Sequence, residues 1–312
     1  MSQTTHRHSP RASLRQRRLG WTLGLLLPLA SALALPAQAA GPAPDGKGGG
    51  VMDKVQARAV TGAAAAQILY HGGPVMTAST GVNVYVIWYG NWAGNTATTV
   101  LPEFLSHLGG SPYWHINTTY YDAAGQHISD TVTLAGQTTD NYSKGTSLSD
   151  AKVWAVVKAA IQSKRLPKDP NGLYFVLTSK DVNETSGFCT QYCGWHTHAT
   201  LGTQDIKYSF VGDASRCLSA CAAQSTGPNG NAGADGMASV IAHELEEAAS
   251  DPDLNAWYFA SGSENADQCA WTFGTQYTAP NGAKANMNIN GHDYLIQRNW
   301  VQAAAGYCGL TI

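Results

Sequence analysis

Residues 236–253, Gly-Met-Ala-Ser-Val-Ile-Ala-His-Glu-Leu-Glu-Glu-Ala-Ala-Ser-Asp-Pro-Asp, constrain the fold more than any other stretch of the chain. Met237, Val240, Ile241, Leu245 and Ala248 recur at helical spacing and form a stripe that must face a core. Asp235 stands where an N-cap belongs, with a side-chain oxygen to offer an orphan amide, and Pro252 forbids continuation past Asp251.

Four ionisable groups ride on this otherwise apolar helix. His243 and Glu247 are one turn apart on one face, close enough to grip one ion together. The run His243-Glu244-Leu245-Glu246-Glu247 is the zincin pattern H-E-x-x-H with a carboxylate in place of the second histidine. Zinc takes carboxylate oxygen as well as imidazole nitrogen, so the pair remains a usable ligand set, and Glu244 falls where the general base would take a proton from water. The bland alternative is a solvated glutamate face with a chance histidine. A third ligand is open among Asp251, Asp253, Glu264 and Asp267, each of which also has an ordinary turn or capping role. Calcium is the less favoured ion, because it seeks six or more oxygens and rarely recruits imidazole.

The chain's start points to export. Arg11, Arg15, Arg17 and Arg18 precede an apolar run from Leu19 to Leu35, and Ala37-Gln38-Ala39 offers a small-residue cleavage site, so residues 1–40 read as a signal peptide. Its removal takes five of the 19 basic residues and none of the 21 acidic ones, leaving a net charge of −7 that argues against nucleic acid or an anionic membrane as partner. With 44% hydrophobic residues, the rest is long enough for one sizeable core and is expected to be a monomer. Six cysteines in an exported chain read as disulfides; the expected bridges are Cys189 with Cys193, Cys217 with Cys221, and Cys269 with Cys308. A four-thiolate zinc site is the weaker alternative.

Residues 41–67 read as a linker or short pro-segment, opening Gly-Pro-Ala-Pro-Asp-Gly-Lys-Gly-Gly-Gly, and order begins near Ile68. Strands are expected at Val82 to Tyr89, Leu173 to Leu177 and Ile206 to Val211, and helices at 97–108 and 148–164, the second capped by Ser149. Alternation up to Leu134 suggests a hairpin. A cysteine loop carries His196 and His198 beside Trp195, and His196 is the candidate for stabilising an oxyanion or ligating the ion. The order of elements implies an α/β or α+β domain over 68–312, with a mixed sheet backed by helices and disulfide-stabilised loops.

Several spaced motifs agree in order with one known family. Tyr70-His71-Gly72-Gly73, the strand ending Trp88-Tyr89-Gly90, Leu177 to Val182, Phe188-Cys189 through Trp195-His196, Pro228-Asn229-Gly230 through Asp235-Gly236-Met237, and the late Cys269 and Cys308 together resemble the phosphate-induced protein 1, or EXORDIUM-like, family. The resemblance implies a secreted, cell-wall-associated protein linked to growth in plants. The plant members look to lack counterparts of His243, Glu244 and Glu247, which sets this chain in a microbial branch that keeps a zincin-like helix. Two functions are therefore expected in competition. One is an exported zinc-dependent hydrolase acting on a peptide or protein. The other is a non-catalytic secreted protein that binds a cell-wall component.

Overall fold

The computed structural model describes residues 43–47, 67–303 and 305–312; the proposed leader and most of 41–67 lie outside the described residues. A five-stranded mixed sheet forms the centre. Its strands are β1 (Val82–Tyr89), β2 (Val132–Asp140), β3 (Gly172–Thr178), β4 (Gly194–Leu201) and β5 (Gln204–Gly212), in spatial order β2-β1-β3-β5-β4. β1 runs parallel to both β2 and β3, and β3 runs parallel to β5. β4 turns back antiparallel at the edge, placing His196 opposite Ser209 and His198 opposite Lys207.

The sequences follow from these places. β1 and β3, covered on both faces, are nearly continuous apolar runs, whereas edge strand β2 alternates between sheltered and exposed residues. That alternation is what suggested a hairpin. The hairpin does not form: Trp114–Thr119 is a short 3-10 helix, Tyr121 and His127 make a single antiparallel bridge, and Val132 opens the parallel edge strand. Tyr113, Trp114 and Tyr120 are core residues.

Three helices matter here: α1 (Ala97–Leu108), α2 (Asp150–Gln162) and α3 (Ala232–Ser250). Trp154 of α2 packs on Tyr208, which meets Trp195 edge-on, so α2 covers the sheet face that receives Trp195. α3 lies across β4 and β5 on the opposite face, with α1 beside it. Because side chains alternate along a strand, His196 points to the α3 side. Ser149 occupies the N-cap of α2, but its hydroxyl makes no capping bond.

α3 is buried along almost its whole length, Glu246 and Glu247 included, so the solvated-face reading fails. Full burial of Ile241 and Leu245 stabilises the fold by about 1.5–3 kcal/mol each. The helix starts four residues before Gly236, and Asn231, not Asp235, caps it by accepting from the Ala234 amide at 3.1 Å. Asp235 instead accepts from Asn229 at 2.6 Å and fastens the preceding loop. Gly236 permits close approach: a Cβ there would lie 2.8 Å from the Cys221 carbonyl oxygen.

Two of the expected cystine pairings are wrong. The bridges are Cys189–Cys217, Cys193–Cys221 and Cys269–Cys308. Leu218–Cys221 is a helical turn with Cys217 at its N-cap, and such a spacing holds two Cβ atoms about 5–6 Å apart, beyond the 3.5–4.5 Å a cystine spans. Each cysteine of that turn therefore reaches across to the loop leading into β4. With all six sulfurs oxidised, the four-thiolate zinc alternative is excluded.

Candidate metal centre

α3 delivers His243, Glu244 and Glu247, β4 delivers His196 from above, and the segment after α3 returns with Glu264 and Asp267. Their donor atoms form two trios that share one residue. In the first, His243 Nε2 is 2.9 Å from Glu247 Oε1 and 3.4 Å from Asp267 Oδ1. In the second, His196 Nδ1 is 3.5 Å from Glu244 Oε2 and 3.6 Å from Glu247 Oε2. Glu247 thus offers one oxygen to each imidazole. The other nitrogen of His196 faces Glu264 Oε1 at 3.6 Å and the Asp251 carbonyl oxygen at 3.4 Å.

These separations are the edges of a coordination polyhedron better than they are hydrogen bonds. Donors 2.0–2.1 Å from a tetrahedral ion lie about 3.3 Å from each other. His196 Nδ1, His243 Nε2, Glu244 Oε2, Glu247 Oε2, Glu264 Oε1 and Asp267 Oδ1 are all buried without a hydrogen-bond partner. Even the 2.9 Å His243–Glu247 approach lacks hydrogen-bond alignment. Burying such groups unpaired is costly, and among the described residues no lysine or arginine comes to pair with them. A divalent cation fits what the donor set lacks.

The electrostatics point the same way. Burial alone would lower the pKa of His196, but Glu264, Glu244 and Glu247 together hold it well above the usual value. His243 is raised likewise by Glu247 and Asp267 against the same burial. Burial opposes ionisation of Glu247, yet the two imidazoles outweigh it and hold that carboxyl at about 2. Burial wins at Glu244, pushed up to about 7, and drives Glu264 well above the carboxylate range.

The remaining candidates divide. Asp251 closes the turn after α3, its Oδ1 accepting the Asn255 and Ala256 amides, so it caps the chain reversal before it does anything else. Asp253 lies apart, near His198 and Lys207. His198 stands outside the buried centre, bonded to Asp205 at 2.7 Å. His196 is inside it but enclosed, fully buried with both nitrogens turned to oxygen atoms of the protein, an arrangement that leaves no donor for an oxyanion. Glu246, on another side of α3, accepts from Asn117 at 3.3 Å and is pushed up by burial, as a neutral structural acid would be. Gly194 escaped notice in the sequence: a Cβ there would sit 2.9 Å from Glu244 Oε1, so only glycine lets β4 close over the carboxylate.

Comparison with known proteins places this architecture. The phosphate-induced protein 1 conserved region matches residues 68–303. Protein EXORDIUM-like 3 of Arabidopsis thaliana is 34% identical, over 78% of this chain and 82% of its own length. Protein EXORDIUM-like 5 of the same plant is 33% identical, over 74% of each chain. Protein PHOSPHATE-INDUCED 1 of Nicotiana tabacum is 28% identical over 61% of this chain and 66% of its own. No solved structure matches. With a family region spanning most of the described fold, three cystines in place and relatives aligned along three quarters of its length, the chain belongs to the phosphate-induced protein 1 family.

Proposed function

We propose that this family member is an exported, metal-dependent hydrolase acting on peptide bonds, with zinc as the ion its mixed imidazole and carboxylate donors favour. The carrying observation is the meeting of His243 Nε2, Glu247 Oε1 and Asp267 Oδ1, donors from one helix and from a segment twenty residues further on, with the imidazole and Asp267 oxygen lacking hydrogen-bond partners. Asp267 takes the third-ligand role ahead of Asp251, Asp253 and Glu264.

A cation bound there supplies an electrophile for a carbonyl oxygen and lowers the pKa of a water. The protein's part is to hold the donors and move the proton. Glu244, the neighbour of His243 on α3, is the carboxylate we assign to accept a proton and return it to a leaving amine. His196, 3.5 Å from Glu244 Oε2, positions that carboxylate and does not touch substrate. Export rests on the arginine-led apolar leader together with three cystines, which belong to oxidising compartments.

The test is metal analysis of the mature chain with a protein substrate assay on Glu244→Gln. Stoichiometric zinc and a 100-fold or greater loss of hydrolysis with zinc retained supports the reading. Hydrolysis that survives the substitution removes it. One observation favours a second reading: Glu244 is 1% exposed and Glu247 and His196 are fully buried, as in a centre that braces a non-catalytic, cell-wall-binding protein. Stoichiometric metal without hydrolysis of any protein substrate selects that reading.

A further inference from the structure

A second feature of β4 lies on its other side. β4 is an edge strand, and its free edge is met by Gly46 and Lys47 of the segment that precedes the domain. Gly46 accepts from the His196 amide at 3.0 Å, as a neighbouring strand would. The next residue drops a side chain into a built notch. Lys47 Nζ lies 2.6 Å from Asp150 Oδ2 and 2.9 Å from Ser186 Oγ, and stands over the rings of Tyr192 and Trp195 at 5.4 and 5.8 Å. Tyr192 and Ser186 are themselves locked to Glu184. Asp45 folds the turn by accepting from the Lys47 amide at 3.0 Å.

Gly46 is required twice over. Its φ of +68° is left-handed, and a Cβ would meet the His196 carbonyl oxygen at 2.0 Å. A spacer would have no need of a left-handed glycine, an aspartate-closed turn and a lysine stacked on two aromatic rings. The notch also holds a resource the metal centre does not use: Glu184 is 1% exposed, and its carboxylate with that of Asp150 prepares a negative wall beside two aromatic faces.

We propose that the outer edge of β4 and the notch of Asp150, Glu184, Ser186, Tyr192 and Trp195 form a binding site for a peptide turn with glycine followed by lysine, and that Asp45-Gly46-Lys47 is its intramolecular occupant. The edge donates the His196 amide to a main-chain carbonyl and admits only glycine there, and the notch selects a basic side chain. This goes beyond the hydrolase reading and does not depend on the cation, because the contacts use the backbone of His196, not its imidazole. The occupant in cis, at an effective concentration of about millimolar, masks the site from weak ligands in solution.

The test uses a fluorescently labelled, end-blocked peptide Ala-Pro-Asp-Gly-Lys and anisotropy in the presence of EDTA, so that loss of metal or activity has no bearing on the result. The full mature chain carrying Gly46→Val and Lys47→Ala, its fold checked by circular dichroism, binds this peptide at least tenfold more tightly than the unaltered chain. Adding Asp150→Asn to that variant, or replacing the peptide's lysine by norleucine, loses at least tenfold. Equal binding by the unaltered and freed chains, or equal binding of the norleucine peptide, overturns the proposal.

Discussion

His196 and His198 stand two residues apart on β4, point to the same side of the sheet and meet opposite fates. Each is gathered with two carboxylates whose donor atoms lie within 4.8 Å of one another, so by distance alone both look like metal sites. Charge separates them. Around His198, Asp205 and Asp253 are matched by Lys207, whose Nζ is 2.8 Å from Asp205 and 3.7 Å from Asp253, and the group is partly open to water. Around His196 and His243, Glu244, Glu247, Asp251 and Glu264 are buried, Asp267 is half-buried with its Oδ1 enclosed, and no lysine or arginine is paired to them among the described residues. Even two imidazolium ions leave that centre short of positive charge. The first group has a cation of its own in Lys207; the second needs protons or a cation.

That contrast can be broken by experiment, beginning where the effect is largest. Glu247→Ala removes the carboxylate that serves both imidazoles; it costs about 3–5 kcal/mol of stability and takes bound zinc to background, measured by denaturant midpoint and metal analysis. Zinc added to the metal-free chain at a hundredfold excess over its Kd stabilises by about 2.7 kcal/mol, raising Tm by roughly 5–11 °C in a calorimeter, and a chelator reverses the shift. His198→Ala, by contrast, costs less than about 1 kcal/mol and leaves the zinc-induced shift in Tm intact. A His198 variant that lost zinc would collapse the distinction. Smallest is a pH effect confined to the exposed group. Although burial pushes Asp205 up, Lys207 and His198 together hold it below its ordinary value. A depressed carboxyl contributes stability that is whole above the unfolded value near 3.9 and drains as pH falls through the folded one. The Asp205→Asn chain therefore loses its deficit relative to the unaltered chain below about pH 4, as read by acid titration of the denaturant midpoint.

Much of the scaffold was legible because periodicity reports burial. The runs at 82–89, 97–108 and 173–177 carry their pattern in their own residues, and the structure puts strands and a helix there. β2 was misread, since alternation describes a half-sheltered strand without saying whether its partner is parallel or antiparallel. The cystine pairing was misread because spacing along the chain says nothing of what a helical turn does to two sulfurs. At the centre, helical geometry made the His243–Glu247 pair visible. Asp267 was one of several late acids, and nothing local distinguished it; its place depends on how the chain returns after Asp251. The His198 group was invisible for the same reason, since Lys207 and Asp205 reach it only through the antiparallel register of β4 and β5. The Asp45-Gly46-Lys47 turn lay inside what reads as an ordinary linker.

The two cystines that bind the loop before β4 to the turn beneath α3 have a consequence set by the compartment the chain occupies. Cys193 leads directly into the strand that carries His196, and Cys221 underlies Gly236 on the helix that carries Glu244 and Glu247. While those sulfurs are reduced, no cystine ties the strand that carries His196 to the turn beneath the helix that carries Glu244 and Glu247. Oxidation clamps the loop before β4 to the turn beneath α3, so the buried group of His196, Glu244 and Glu247 is fully braced only where cystines can form.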